Sequence, residues 1–348
     1  MNWKFYKPLR NKLKDNRDFF INKLLDEKRK KISINYKNIK RILFMRIDGK
    51  IGDYIISSFI FKELKKNNPN IIIDIVSDTS IKKLLETNKN IDNVYVYKRK
   101  NTFQMLKMIK KLKKNKYDVL VDLTEHMKYK EFWFVKSMKA EVNIGYDKED
   151  FNIFNIKIEK NNNKMIENYK EILKKLGITD FNSKYEVPIS LEYEKEIEKY
   201  FEDKKLGSNV IAINFFGYSK GRKINKENIL KILELLRKKE YKTIILDSPR
   251  DRKILEEIMS EIQDKNIFYK KTESIMEAIS IIKRCDLIIS PDTSIVHIAE
   301  GLDKKIIAFY DEEKVEKWGI NRTKNNILIE YNEDINELDY EKELGKYL

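Results

Sequence analysis

Three stretches of the 348-residue chain place chemically capable side chains where a short apolar run gives way to a helix-like pattern. In "SPDTSIVHIAEG" (290–301) the run "DLIIS" ends and an amphipathic segment opens. Free backbone N–H groups at such a helix start, joined by the hydroxyls of Thr293 and Ser294, suit a phosphate or diphosphate. His297, one of only two histidines, falls within a turn of the same start. The plainer alternative is that Asp292 or Thr293 caps the helix. In "FFGYSKGRKINKENILKIL" (215–233), a loop with two glycines sets Lys220, Arg222 and Lys223 just ahead of a helix expected to start near Asn225. A guanidinium at a strand end binds phosphate in bidentate fashion, although a solvated basic turn has the same composition.

The third stretch, "MRIDGKIGDYIISSFIFKEL" (45–64), reads as strand, glycine turn and helix, with Asp53 where the helix begins. A dinucleotide fold would put glycines and a phosphate there. Taken alone, Asp53 reads as a helix cap. A fourth loop, "VDLTEHMKYK" (121–130), follows another apolar run and carries Asp122, Glu125, His126 and Lys128, which ordinary loop polarity also explains.

The elements that must position these residues form two series. Strand-like runs at 41–47, 71–77, 94–97 and 117–123 alternate with helix-like runs near 53–66, 79–87 and 101–114. After a polar, mostly helical bridge over roughly 160–205, strand-like runs follow at 209–216, 242–247, 266–269, 286–290 and 304–310. Helical runs near 226–239, 250–262, 274–283 and 294–301 separate them. Such alternation implies parallel strands with crossover helices. The expectation is two doubly wound α/β domains with a cleft between them, over 41–190 and 191–335. They are preceded by a basic extension (1–40) and followed by a helix (336–348) that could return to the first domain. Ligands in such sheets bind beyond the carboxyl ends of the strands, which is where the four loops above, and a fifth at 247–251, lie.

The net charge of +16 is concentrated in two patches. Residues 1–40 carry +9 and residues 98–116, which contain no acid, carry another +9, leaving −2 for the rest. That pattern describes one basic face on a balanced body. The single cysteine, Cys285, allows no internal disulfide and fits a reducing compartment. No run reaches the roughly 18 apolar residues of a membrane span, and the start lacks a signal peptide's apolar core. These features lead us to expect a soluble, cytoplasmic protein.

With those residues in view, the chain resembles glycosyltransferase family nine, the ADP-heptose:lipopolysaccharide heptosyltransferase family. "RIDGKIGDYIISSFIFKELKK" resembles the family's opening motif, arginine-leucine-x-x-isoleucine-glycine-aspartate before a helix. "RKINKENILKI" (222–232) resembles its lysine-arginine-tryptophan-proline-x-glutamate-x-phenylalanine motif, with Arg222 in the lysine position and Lys223 in the arginine position. "CDLIISPDTSIVHIAEGLDKKIIAFY" resembles aspartate-threonine-glycine-x-x-histidine between two strands, with Ser294 in place of the glycine. The likeness runs over roughly residues 41–320 and implies the GT-B fold of two facing α/β domains.

The resemblance implies an inverting transfer in which Asp53 is the catalytic base. The donor would be a nucleotide sugar, ADP-heptose, with no cofactor, and the acceptor a lipid-linked glycan of the lipopolysaccharide core. Arg222, with Lys223 as a second cation, and the helix start at Thr293–Ser294 would stabilise the departing diphosphate. Asp292 and His297 would orient the donor, and Gly49 and Gly52 would let the first loop approach it closely. Asp122, Glu125, His126 and Lys128 would contact the acceptor. The chain contains no Asp-x-Asp pair of the kind metal-dependent sugar transferases use, so no metal is expected. Another nucleotide sugar serving another surface glycan is the alternative within this class.

Phe5, Leu9, Leu13, Phe20 and Leu24 would share one stripe if the extension were helical. Lying in a membrane interface, that stripe would give peripheral contact with the anionic inner-membrane surface. A helix packed on the enzyme's own body, or a partly disordered basic tail, is the alternative. In helix 101–114, Phe103, Leu106, Ile109 and Leu112 read as the packing face, with the lysines outward. A basic nucleic-acid-binding protein is the rival class. The aromatics lie in strand-like core runs and no nucleic-acid motif is present, so no nucleic-acid partner is expected.

Overall fold

The computed structural model of the protein describes residues 16–30, 34–125, 127–159 and 164–348. In chain order the elements are α1 (16–25), β1 (Arg41–Arg46), α2 (Ile51–Ser57), α3 (Phe59–Asn67), β2 (Ile72–Ser77) and α4 (Lys82–Glu86). They continue with β3 (Asn93–Val96), α5 (Thr102–Leu112), β4 (Val119–Asp122), α6 (Tyr129–Met138), β5 (Val142–Tyr146), β6 (Ile156–Ile158) and α7 (Met165–Lys175). Next come α8 (Leu191–Asp203), β7 (Val210–Asn214), α9 (Lys226–Lys238), β8 (Lys242–Leu246), α10 (Arg252–Met259), β9 (Ile267–Tyr269) and α11 (Ile275–Arg284). The last are β10 (Leu287–Pro291), α12 (Ser294–Gly301), β11 (Lys305–Asp311), α13 (Glu312–Trp318), β12 (Asn326–Tyr331) and α14 (Tyr340–Gly345). Among the described residues, no helix is long and apolar enough to cross a membrane.

The chain divides into two compact units. The first holds residues 1–50, 59–161 and 166–183; the second holds 51–58, 162–165 and 184–348. Each contains a six-stranded, all-parallel sheet. The orders are β3-β2-β1-β4-β5-β6 and β12-β11-β10-β7-β8-β9, the same winding in both. In each sheet the strand order reverses once, between β1 and β4 and between β7 and β10. The loops following those four strands are therefore where an open α/β sheet binds its ligand. They contain every loop singled out for chemistry except 247–251.

The central strands are buried on both faces, which is why they read as continuous Ile/Leu/Val runs. Three strands are not apparent in the sequence. Asn143 and Gly145 interrupt β5, β6 has three residues with a lysine at its centre, and β12 is an edge strand carrying Glu330. The helix expected over 53–66 is two helices. Ser57 Oγ donates to the Tyr54 carbonyl (3.0 Å) and Ser58 Oγ to the Ile55 carbonyl (2.6 Å), competing with the helical ladder at the break. The break coincides with a unit boundary, so the segment carrying Asp53 clusters with the second unit although β1 belongs to the first.

Two expectations need correction. The packing face of α5 is Met105, Ile109 and Leu112, whereas Phe103 is 66% and Leu106 40% exposed. The true stripe is rotated by one residue in its first turn, since Met105 fills the place assigned to Leu106. The C-terminal helix α14 does not return to the first unit. Tyr340 and Leu344 are buried in the second unit's core, where the Tyr340 ring meets Phe309 edge-on.

The N-terminal helix packs on the first unit. Asn22 Nδ2 donates to the Met127 carbonyl (3.3 Å), Lys136 Nζ to the Leu25 carbonyl (2.6 Å), and Asp26 accepts from the backbone N–H groups of Asn152 and Ile153. Phe20 and Leu24 of the expected stripe are exposed; Phe5, Leu9 and Leu13 lie outside the described residues.

Candidate active site

In the second unit the switch-point loops are fastened to each other by polar side chains. Asn214, at the end of β7, donates from Nδ2 to Ser290 Oγ (3.1 Å) at the end of β10 and to Thr293 Oγ1 (3.4 Å). Sequence reasoning does not single out Asn214 or Ser290. Their only signal is a single polar residue, Asn214 inside the apolar run 209–216 and Ser290 at the end of the run 286–290.

The loop after β7 folds back on itself. Ile224 N–H donates to the Phe215 carbonyl (3.0 Å) and Gly217 N–H to the Arg222 carbonyl (2.8 Å). A Cβ at Gly217 would lie 2.5 Å from Arg222 Cβ, so this fold-back requires glycine. It delivers Arg222 to Asp292: Nη1 stands 2.7 Å from Oδ2 and donates to the Asp292 carbonyl at 3.1 Å. Arg222 Nε is buried with no hydrogen-bond partner among the described residues. Burial pushes the Asp292 carboxyl up, and the Arg222 guanidinium opposes that shift. Lys223 points elsewhere, to Asp251 (2.6 Å), whose carboxylate also takes Arg250 (2.7 Å). Burial alone would raise Asp251, but its hydrogen bonds from Arg250, Lys223 and Ser248 hold it below the ordinary value.

Thr293 is the N-cap of α12, its side chain accepting from Ile295 N–H (3.3 Å), so the capping role expected at this position is filled. Ser294 opens the helix. One turn on, His297 is buried, with Nδ1 lacking a hydrogen-bond partner among the described residues. Burial lowers its pKa to about 4, so at neutral pH the imidazole is uncharged.

The α2 segment lies against α12 within this unit. A Cβ at Gly52 would sit 3.2 Å from His297 Cδ2 and 3.6 Å from Ser294 Cα, so a side chain there would press the helices apart. Asp53, the next residue, is buried in the first turn of α2 and occupies the third helical position, beyond the N-cap. Its charge reaches Asp292 and contributes to raising that carboxyl. Gly52, Asp53, Arg222, Asp292, Thr293, Ser294 and His297 thus converge in one unit. The arrangement can hold an anion against a guanidinium and a helix start, with a carboxylate nearby.

The first unit holds the remaining candidates. Gly49, with φ +66°, makes the turn after β1; a Cβ there would come within 2.5 Å of Ser80 Oγ. Asp122 is turned into its own loop: Oδ1 accepts from the N–H (3.0 Å) and hydroxyl (2.7 Å) of Thr124, and Oδ2 is 3.8 Å from Lys148 Nζ. Burial drives this carboxyl up, with Lys148 opposing. Lys148, which the sequence does not flag, is buried and donates to the carbonyls of Thr124, Glu125 and Tyr146. Lys128 N–H donates to Glu131 Oε2 (2.8 Å) where α6 begins. Glu125 and Lys128 are partly exposed on this loop, and His126 lies outside the described residues.

Two all-parallel, identically wound α/β sheets place the chain in the GT-B fold class. Among solved structures, the fold is similar to that of a glycosyl transferase family 9 protein from Veillonella parvula and of an E. coli heptosyltransferase solved with ADP. The first has TM-score 0.74 and 19% identity over 91% of each chain; the second has TM-score 0.68 and 14% identity over 88% of this chain and 98% of that one. In sequence, the lipopolysaccharide heptosyltransferase 1 of Campylobacter coli is 26% identical over 294 residues, 78% of this chain and 83% of the relative. The profile of glycosyltransferase family 9 (heptosyltransferase) matches residues 105–348, and the chain belongs to that family.

Proposed function

We propose that the protein is an inverting, metal-independent transferase that moves a heptose from ADP-heptose to a lipopolysaccharide core acceptor. The observation that carries this reading is the convergence of Asp53, Arg222 and the start of α12 in a member of this family. Arg222 and the N–H groups opening α12 bind the donor diphosphate, while Asp292 holds the guanidinium in position and His297 donates or accepts as an uncharged group. Asp53 takes the proton from the acceptor hydroxyl as its oxygen bonds to the anomeric carbon. The bond from that carbon to the diphosphate breaks on the opposite face, and the electron pair leaves with ADP. General-base assistance contributes roughly 10²–10⁴-fold, so positioning and charge stabilisation must supply the rest.

The donor assignment is supported by the family and by the ADP in the E. coli heptosyltransferase structure. In this reading, Glu125 and Lys128 of the first unit meet the acceptor, with Lys148 holding their loop. A lipid-linked acceptor calls for a peripheral enzyme on the cytoplasmic face of the inner membrane. Thermal-shift measurements with ADP, UDP, GDP and duplex DNA test the ligand class. ADP should stabilise most, by mass action on the native state. A dominant UDP or GDP effect would assign another nucleotide sugar, and salt-sensitive DNA binding alone would remove the transferase reading.

A further inference from the structure

Half of the exposed large apolar side chains among the described residues sit on three neighbouring helices. Of twelve such residues among the described ones, Phe19, Phe20, Leu24, Phe103, Leu106 and Trp133 belong to α1, α5 and α6. Those helices span 31 residues, so the clustering is far from an even spread over the surface. They cover one face of the first sheet. Met105, Ile109 and Leu112 of α5, and Phe132, Val135 and Met138 of α6, enter one core, against which Leu25 of α1 packs. Lys130 Nζ donates to Thr102 Oγ1 (2.5 Å), tying α6 to α5.

Charge on this face is equally lopsided. In α5 and the turn after it, Lys107, Lys110, Lys113 and Lys114 recur at helical spacing with Phe103 and Leu106, all exposed. None of these four lysines has a carboxylate partner among the described residues, and residues 98–116 contain no acid. Nearby acids are already engaged: Glu131 with Arg99 (2.7 Å), Asp18 with Arg17 (2.7 Å) and Glu27 with Arg29 (3.0 Å). This helix face sets Phe103 and Leu106 beside lysines that have no carboxylate partner among the described residues, with Lys107 Nζ over the Phe103 ring at 4.8 Å. It complements a surface that is anionic outside and apolar just beneath, where lysines meet phosphates while the apolar side chains enter the headgroup–acyl boundary.

We infer that the outer face of α5, extended by α1 and α6, docks the protein on an anionic lipid bilayer. This deepens the membrane-facing reading above by assigning the surface that makes the contact. Binding is measured without donor or acceptor, so its failure and the failure of sugar transfer are separable.

The test is co-sedimentation of the full chain with phosphatidylglycerol/phosphatidylcholine vesicles and with phosphatidylcholine vesicles alone. The parent should sediment with the anionic vesicles, be released at high salt and ignore the neutral ones. Replacing Lys107, Lys110, Lys113 and Lys114 with Glu should cut the bound fraction at least about tenfold. Phe103→Ser with Leu106→Ser should reduce it and make the remainder more salt-sensitive, as insertion is lost and only the charge attraction stays. Unchanged circular dichroism and ADP binding establish that the variants fold. The inference is overturned if the parent does not bind anionic vesicles, if the lysine-reversed protein binds as well as the parent, or if duplex DNA is bound in place of vesicles.

Discussion

A single guanidinium nitrogen, Arg222 Nη1, serves both the carboxylate (2.7 Å) and the backbone carbonyl (3.1 Å) of Asp292. It thereby joins the loop after β7 to the segment entering α12, so the cation is oriented before any ligand arrives. Pre-orientation of this kind reduces the ordering cost of binding.

Arg222→Ala is therefore expected to weaken binding of a nucleoside diphosphate by about 2–3 kcal/mol, while leaving the unphosphorylated nucleoside nearly unaffected. Lysine at 222 should recover part of the loss, because it restores charge but not the paired geometry. Titration calorimetry with ADP and adenosine reads both effects. Equal losses for the two ligands would contradict the phosphate role.

His297 gives a pH signature. Its pKa falls from an ordinary 6.5 to about 4 in the folded protein, so between those values the unfolded chain binds the proton and the native state does not. Stability should accordingly decline as pH drops from about 6.5 to about 4, by at most about 3 kcal/mol from this group. His297→Gln should flatten that limb. Urea unfolding at pH 7 and pH 5 for both proteins provides the comparison; identical pH dependence would show that burial of the imidazole is not what costs stability in acid.

Lys148 supports a loop, and its loss should be felt as stability. Lys148→Met leaves three carbonyls and the buried Asp122 carboxylate without their cation. A loss of about 3–5 kcal/mol is expected, partly relieved by adding Asp122→Asn. Chemical denaturation of the single and double variants measures both. A double variant no more stable than Lys148→Met would disconnect the two residues.

Most of the scaffold is legible because buried parallel strands leave uninterrupted apolar runs and the helices between them keep their period. β5, β6 and β12 are not, since Asn143, Gly145, Lys157 and Glu330 break the apolar signal that burial normally produces. The site is legible at the level of motifs: the residues around Asp53, Arg222 and Asp292 stand at strand ends, where chemistry in this fold is expected. What stays hidden is partner choice. Nothing in "GRKIN" separates Arg222, which turns to Asp292, from Lys223, which turns to Asp251. Lys148 is equally invisible, because a lysine between Asp147 and Glu149 looks solvated until the fold buries it.

Removal of divalent metal should leave turnover unchanged. The proposed mechanism assigns the stabilisation of the departing diphosphate to Arg222 and the α12 start, with no step that calls for an ion. Initial rates with and without EDTA, after dialysis against chelator, check this. Loss of activity that magnesium or manganese restores would overturn it.

The most direct test of the proposed mechanism is mass-spectrometric detection of sugar transfer from a panel of nucleotide sugars to a lipid-A-bearing core acceptor, comparing the parent with Asp53→Asn. The expected product is a heptose adduct formed from ADP-heptose, with the anomeric configuration inverted. The Asp53→Asn rate should be at least about two orders of magnitude lower, with ADP affinity retained. Transfer at the parental rate by Asp53→Asn, or retention of configuration, would contradict the mechanism.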